Sequence, residues 1–362
     1  MKAVMKPILG LAVASTVASA AIADDRVVRV YNWSDYIAED TIEKFEAATG
    51  IKVTYDVFDS NEVLEAKVLS GQSGYDVVVP TSDYLARHVI AGAYQKLDKS
   101  KIPNWDNLSD ELLANLENYD KGNQYGVPYQ WGTTGIGYNV AKVEEALGED
   151  APTDSWDLFF NPEYASKLAD CGIAVLDSPG EVLPLALSYL GLDPNSKDRA
   201  DYDKAGELMK SIKPSITYFH SSRYISDLAN GDICLAIGWS GDVFQAMARA
   251  EEAENGVEIA YYIPKEGTAM WSDMMAIPKD ANNVDEAHEF INFVLDAQIG
   301  ADITNYVWYG SPNEAAKEFI DPEILANPGI YPAEGTKLFT FEVLPEKINR
   351  YMTRTWTSVK SD

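Results

Sequence analysis

From Arg26 onward the apolar positions switch repeatedly between a strand-like run and a helical period. Arg26–Tyr31 is a run of strand formers. It leads into Tyr31-Asn32-Trp33-Ser34-Asp35-Tyr36, and no helix is predicted before about Glu39. Thr41–Ala48 sets Ile42, Phe45 and Ala48 on one helical face and stops at Gly50. Ile51–Phe58 alternates as a strand, and Glu62–Leu69 is predicted as a helix capped by Asp59, Ser60 or Asn61. Tyr75–Val79 is a continuous apolar run ending at Pro80, and Asp83–Ala91 is helical again. Strands and helices of these lengths in alternation predict an α/β fold with a parallel sheet covered on both faces.

Within Tyr125–Asn139 the three glycines from Gly132 to Gly137 (Gly132, Gly135 and Gly137) interrupt strand-forming residues, and a crossing between two lobes is expected there. The glycines lack the order and the following helix of a dinucleotide loop. Strand–helix units then resume, with strands at Gly172–Leu176 and Ile233–Ile237 and helices at Val182–Tyr189 and Val243–Ala250. A return crossing is expected near Ile263–Trp271. Asn283 with Glu286 has the spacing of a capping box ahead of the helix Val284–Leu295. With no repeat and no low-complexity linker, the lobes are read as interleaved. One is residues 24–131 plus about 264–312, the other 132–263 plus about 313–362.

Residues 1–23 stand apart. Lys2 and Lys6 precede the apolar run Ile8–Val17, and Ala21-Ile22-Ala23 is a small-x-small cleavage signal, so this segment is read as a secretory leader. No later stretch is apolar enough to span a membrane. The formal charge is −28, and losing the leader's two lysines makes the remainder more acidic still. Nucleic acid, which needs a basic patch, is excluded as a partner. An acidic field does attract small cations, although acidity also serves solubility alone. In an exported protein the two cysteines, Cys171 and Cys234, are read as a structural disulfide, since a redox pair would show C-x-x-C spacing.

The chemistry collects in the segments that follow strands, where open α/β sheets bind ligands. Trp33, Ser34, Asp35 and Tyr36 come after the first strand, and Thr81, Asp83 and Tyr84 after the third. Glu181, then Trp239 and Asp242, follow the two strands of the second half, and Trp271 and Asp273 flank the return crossing. Aromatic faces attract cations and carboxylates pair with them, so the pattern suits a ligand with an apolar body and positive ends. Enzyme chemistry fits less well. Gly238-Trp239-Ser240-Gly241-Asp242 misses the nucleophile-elbow pattern by one position, and His88, His220 and His288 have neither triad nor zinc spacing. A two-carboxylate glycosidase is the remaining catalytic alternative. Five acids beside aromatics exceed what one acid and one base require.

Four stretches carry a resemblance: Val30–Ile37, Val57–Val63, Gly135–Asn139 and Leu228–Cys234. On these the chain resembles the periplasmic polyamine-binding proteins of ABC importers over essentially all of its mature length, most closely their putrescine-binding branch. The resemblance implies a two-lobed periplasmic-binding-protein fold of type II-like topology, with the ligand in the cleft between lobes. It also implies a Cys171–Cys234 disulfide, no cofactor or metal, and a membrane permease as partner to a monomer. By the same resemblance Trp33, Tyr36, Trp239, Trp271 and Tyr309 box the ligand's methylene chain, and Asp242 and Asp273 hold one ammonium end. Asp35 faces the cleft, Glu181 serves the other end, and Ser34, Thr81 and Ser221 add polar contacts. Two positions depart from the putrescine-binding pattern: Asp83 where a small polar residue is usual, and Trp271 in place of Phe. An extra acid opens the alternative of spermidine. The Tyr331–Phe339 loop is also shorter, which leaves Lys337 without a carried-over role.

Overall fold

A computed structural model of the protein describes residues 26–361; the leader read at 1–23 lies outside them. The strands are β1 (Val27–Trp33), β2 (Lys52–Phe58), β3 (Val77–Val78), β4 (Gly126–Asn139) and β5 (Ile173–Val175). The remainder are β6 (Tyr218–Phe219), β7 (Leu235–Trp239), β8 (Ile259–Tyr262), β9 (Thr268–Ala276) and β10 (Leu338–Phe339). They are connected in the order β2-β1-β3-β9-β4-β7-β5-β6, with β8 on β4 and β10 on β9. At one end β1, β2 and β3 are parallel, and at the other β5, β6 and β7 are parallel. Helices join these strands, as the alternating periods predict.

Two long strands link the halves. From Gly126 to Thr133, β4 pairs with β9. From Thr134 to Tyr138 it pairs with β7 instead. The glycine-rich stretch is therefore continuous strand that changes partner at Thr133/Thr134. Its small residues let large side chains close in: a Cβ at Gly132 would stand 2.9 Å from the Tyr309 ring and 3.0 Å from Trp271. β9 returns the chain and pairs with β3 through Ala276. The type II-like two-lobed fold is thus present, with the crossing strands behind the cleft.

Cys171 and Cys234 form a disulfide, their Cα atoms 5.5 Å apart, just ahead of the parallel neighbours β5 and β7. It closes a loop with a sequence separation of 63. Replacing both cysteines with alanine is expected to lower unfolding stability by roughly 2–4 kcal/mol, measured by chemical denaturation. Unchanged stability would mean that the β5–β7 pairing holds without it.

Several local expectations are corrected. The capping box at Asn283 does not form, because the Asn283 amide donates to Asp76 (3.0 Å) and Glu286 pairs with Arg26 (2.9 Å). His288, without triad or zinc spacing in the sequence, is buried, with Nδ1 at Val284 O (2.7 Å) and Nε2 accepting from the Asp98 amide (3.0 Å). His88 is likewise buried, against Tyr94 (2.9 Å). Three helices begin earlier than their apolar spacing shows, at Ser82, Pro179 and Ser240, because their first turns are built from small and polar residues.

Candidate functional site

Those early helix starts place the acids. Asp83, Glu181 and Asp242 lie in the first turns of Ser82–Ile90, Pro179–Tyr189 and Ser240–Glu252, not in loops, and Asp273 lies within β9. A first helical turn favours negative charge, since its unpaired N–H groups and the helix dipole point there. That tolerance lets carboxylates be held between the halves of the sheet.

Trp33, Ser34, Tyr36, Asn61, Thr81, Glu181, Trp239, Asp242, Trp271, Asp273 and Tyr309 line one cavity. The rings form a continuous series. Trp33 meets Trp239 edge-on at 5.4 Å, Trp239 meets Trp271 at 6.5 Å, Trp271 meets Tyr309 at 5.6 Å, and Tyr309 meets Tyr36 at 5.0 Å. Trp33 is fixed by its indole N–H on Val79 O (2.8 Å). Tyr309 reaches the wall because residue 241 is glycine; a Cβ there would sit 2.3 Å from its ring.

Each acid in the wall is held by hydroxyl donors. Tyr309 and Tyr224 donate to the two oxygens of Asp242, at 2.7 Å each. Tyr36 donates to Asp273 Oδ2 (2.8 Å). Asp273 Oδ1 is buried with no hydrogen-bond partner among the described residues. Thr134 donates to Glu181 Oε1. Burial raises the carboxyls of Asp242 and Asp273 to about 7 and that of Glu181 to about 8, while the hydroxyl donors draw them back down. A buried acceptor without a donor costs free energy, so this wall favours a ligand that brings N–H groups and positive charge.

Three predicted site residues lie elsewhere. Asp35, at φ 54°, turns to the rim and accepts from Arg249 (2.6 Å), with its side chain about one-third exposed. Ser221 is buried behind the cleft, where its hydroxyl accepts from the Asp177 amide (3.0 Å). Asp83 lines a neighbouring cavity with Glu62, Tyr84, Arg87 and Glu342, and burial raises it to about 7. Sequence reading in turn missed Asn61, Thr134 and Tyr224 as parts of the wall. Asn61 stands beside the helix cap Ser60 and was weighed only as a cap, yet its amide donates to Thr81 Oγ1 (2.6 Å).

The family model for bacterial extracellular solute-binding proteins matches residues 40–332. The chain belongs to that family. It is 56% identical to the putrescine-binding periplasmic protein SpuD of Pseudomonas aeruginosa, covering 100% of this chain and 99% of the relative. It is 53% identical to the putrescine-binding periplasmic protein PotF of Escherichia coli, over 94% and 92% of the two chains. Among solved structures it is similar to a putative spermidine/putrescine ABC transporter from Listeria monocytogenes. The TM-score is 0.82 at 32% identity, covering 93% of this chain and 99% of the other. The protein is a solute-binding component and not an enzyme, so the glycosidase alternative is set aside.

Proposed function

We propose that this protein captures putrescine or a related polyamine in the periplasm, as an exported monomer, and delivers it to the membrane permease of an ABC importer. The observation that carries the reading is the series of rings bounded by the buried acids Asp242, Asp273 and Glu181. The methylene chain lies against the rings while the ammonium ends take the hydroxyl-held carboxylates. Each ring beside the cationic chain contributes about 0.5–2 kcal/mol. The lobes that close on the ligand are residues 24–131 plus about 264–312 and 132–263 plus about 313–362. Both similar putrescine-binding relatives support the ligand class. The test is calorimetric titration with putrescine, cadaverine, agmatine, spermidine and spermine. Failure of all five to bind refutes the reading.

A spermidine preference is the second reading, and the cavity holding Asp83 favours it. That space borders the wall through the chain neighbours Asn61/Glu62 and Gly180/Glu181. With putrescine both ends are served in the main cavity and Asp83 is unused. With spermidine the third amine reaches Asp83, in a charge-assisted contact worth about 1.5–3 kcal/mol. Asp83→Ser is then expected to lower the spermidine-to-putrescine affinity ratio about tenfold or more. An unchanged ratio, with a stability loss near 1 kcal/mol, leaves Asp83 as a helix-terminal group only.

A further inference from the structure

We propose that Thr134 is a positioning residue for the ligand's second ammonium group, orienting the Glu181 carboxyl and favouring its ionised form through a hydrogen-bond chain that starts at the Trp271 indole. The inference rests on the polyamine reading and adds the residue that orients its far end. Thr134 stands where β4 leaves β9 and joins β7, and it is completely buried. Its hydroxyl accepts from Trp271 Nε1 (3.0 Å) and donates to Glu181 Oε1, while its carbonyl accepts from the Thr268 hydroxyl. Trp271 is on the returning strand and Glu181 on the helix after β5, so one side chain at the partner change joins groups brought from both directions.

The direction of the chain follows from donor chemistry. An indole nitrogen can only donate, so Trp271 occupies an acceptor site on the Thr134 oxygen. One acceptor site remains on that oxygen, and its single proton lies toward Glu181 Oε1. No other side-chain hydrogen bond to Glu181 is present among the described residues. A donor aimed at a carboxyl favours its ionised form, against the burial and the like charges of Asp83, Glu62 and Asp273 that oppose ionisation. The Trp271 N–H fills one of the two acceptor sites on that oxygen, which disfavours the reversed bond from a protonated Glu181. Thr134 therefore orients the carboxylate and biases it toward the form that receives a cation.

The experiment compares Thr134→Val, which keeps the shape and removes the hydroxyl, with Thr134→Ser, which keeps the hydroxyl. The ligands are 1,4-diaminobutane and 1-aminobutane, the latter lacking the second ammonium. Thr134→Val is expected to lose about ten- to a hundredfold in diamine affinity and far less in monoamine affinity, with Thr134→Ser restoring most of the difference. Equal losses on both ligands, or none on the diamine, overturn the proposal. A ligand-independent arm follows the Glu181 carboxyl by ¹³C NMR in the empty protein. Its titration should move upward in Thr134→Val and in Trp271→Phe, with no further movement in the double variant. An unmoved titration overturns the proposal. If the parent protein binds no diamine the polyamine reading fails, and the NMR arm still decides the role of Thr134.

Discussion

Asp242→Asn is expected to weaken diamine binding by about a hundredfold or more, while the empty protein stays at least as resistant to heat as the parent. The two effects separate because Asp242 is surrounded by groups that do not need its charge. Tyr309 and Tyr224 each donate to one of its oxygens, and both hydroxyls also accept backbone N–H groups, from Asp242 and Trp239, at 3.1 Å. An asparagine oxygen keeps one of these donors, and the other tyrosine can turn to accept from the new amide. The wall therefore survives with its shape intact. The empty site even gains, since burial penalises the carboxylate and raises its pKa to about 7. The ligand, in contrast, loses the partner of an ammonium group in a site without bulk water. Truncating one member of a buried charge pair typically costs about 2–5 kcal/mol. Calorimetric affinities and thermal unfolding of both proteins without ligand measure the two sides. Parental affinity in Asp242→Asn would remove this acid from the site.

Much of the fold was legible because its strands and helices differ in period, and Gly50 and Pro80 punctuate them. The legible part ends where a helix begins with residues that carry no periodic signal. Pro179-Gly180 and Ser240-Gly241 read as turn, yet they are the first turns that position Glu181 and Asp242. Asn283 and Glu286 have the right spacing for a capping box, and Asp76 and Arg26, remote in sequence, take both side chains away.

The site divides in the same way. Residues that point into the cleft from the ends of strands, such as Trp33 and Trp239, stand beside one another in the sequence with acids and hydroxyls. Their recurrence is visible without a structure. The residues that hold them are not. Tyr224 lies on a different helix from Asp242, and Thr134 is separated from Glu181 by 47 positions and from Trp271 by 137. A hydroxyl inside a glycine-rich strand carries no pattern of its own. Asp35 shows the opposite error: it has the neighbours of a cleft residue, and its left-handed backbone directs it to Arg249 at the rim.

Acidification is expected to abolish most of the affinity, and the sign follows from the raised pKa values. In the empty closed site Asp242 and Asp273 hold protons below about pH 7 and Glu181 below about pH 8. A dication binds the ionised acids and must displace those protons, so affinity increases as pH rises through this window. Alkylammonium groups with lysine-like pKa values stay charged to about pH 10 and contribute no opposing trend there. Each acid that is protonated when empty and ionised in the complex changes affinity tenfold per pH unit below its pKa. From pH 7 to 5.5 that is about sixteenfold for each carboxyl with a pKa near 7, since half are already protonated at pH 7, and about 250-fold for Asp242 and Asp273 together. Folding without ligand has the opposite sign. Folded-state pKa values above the unfolded ones stabilise fully at acid pH, and that stability is lost as pH rises through 7 to 8. The thermal shift given by ligand should therefore grow with pH. Calorimetry at pH 5.5, 7 and 8.5, repeated in buffers of unlike ionisation enthalpy, reads both the affinity and the protons released. Asp242→Asn should release fewer protons than the parent. Equal affinity at pH 5.5 and 8.5 would mean that the acids are ionised before the ligand arrives, in a cleft that stays open to water until a cation closes it.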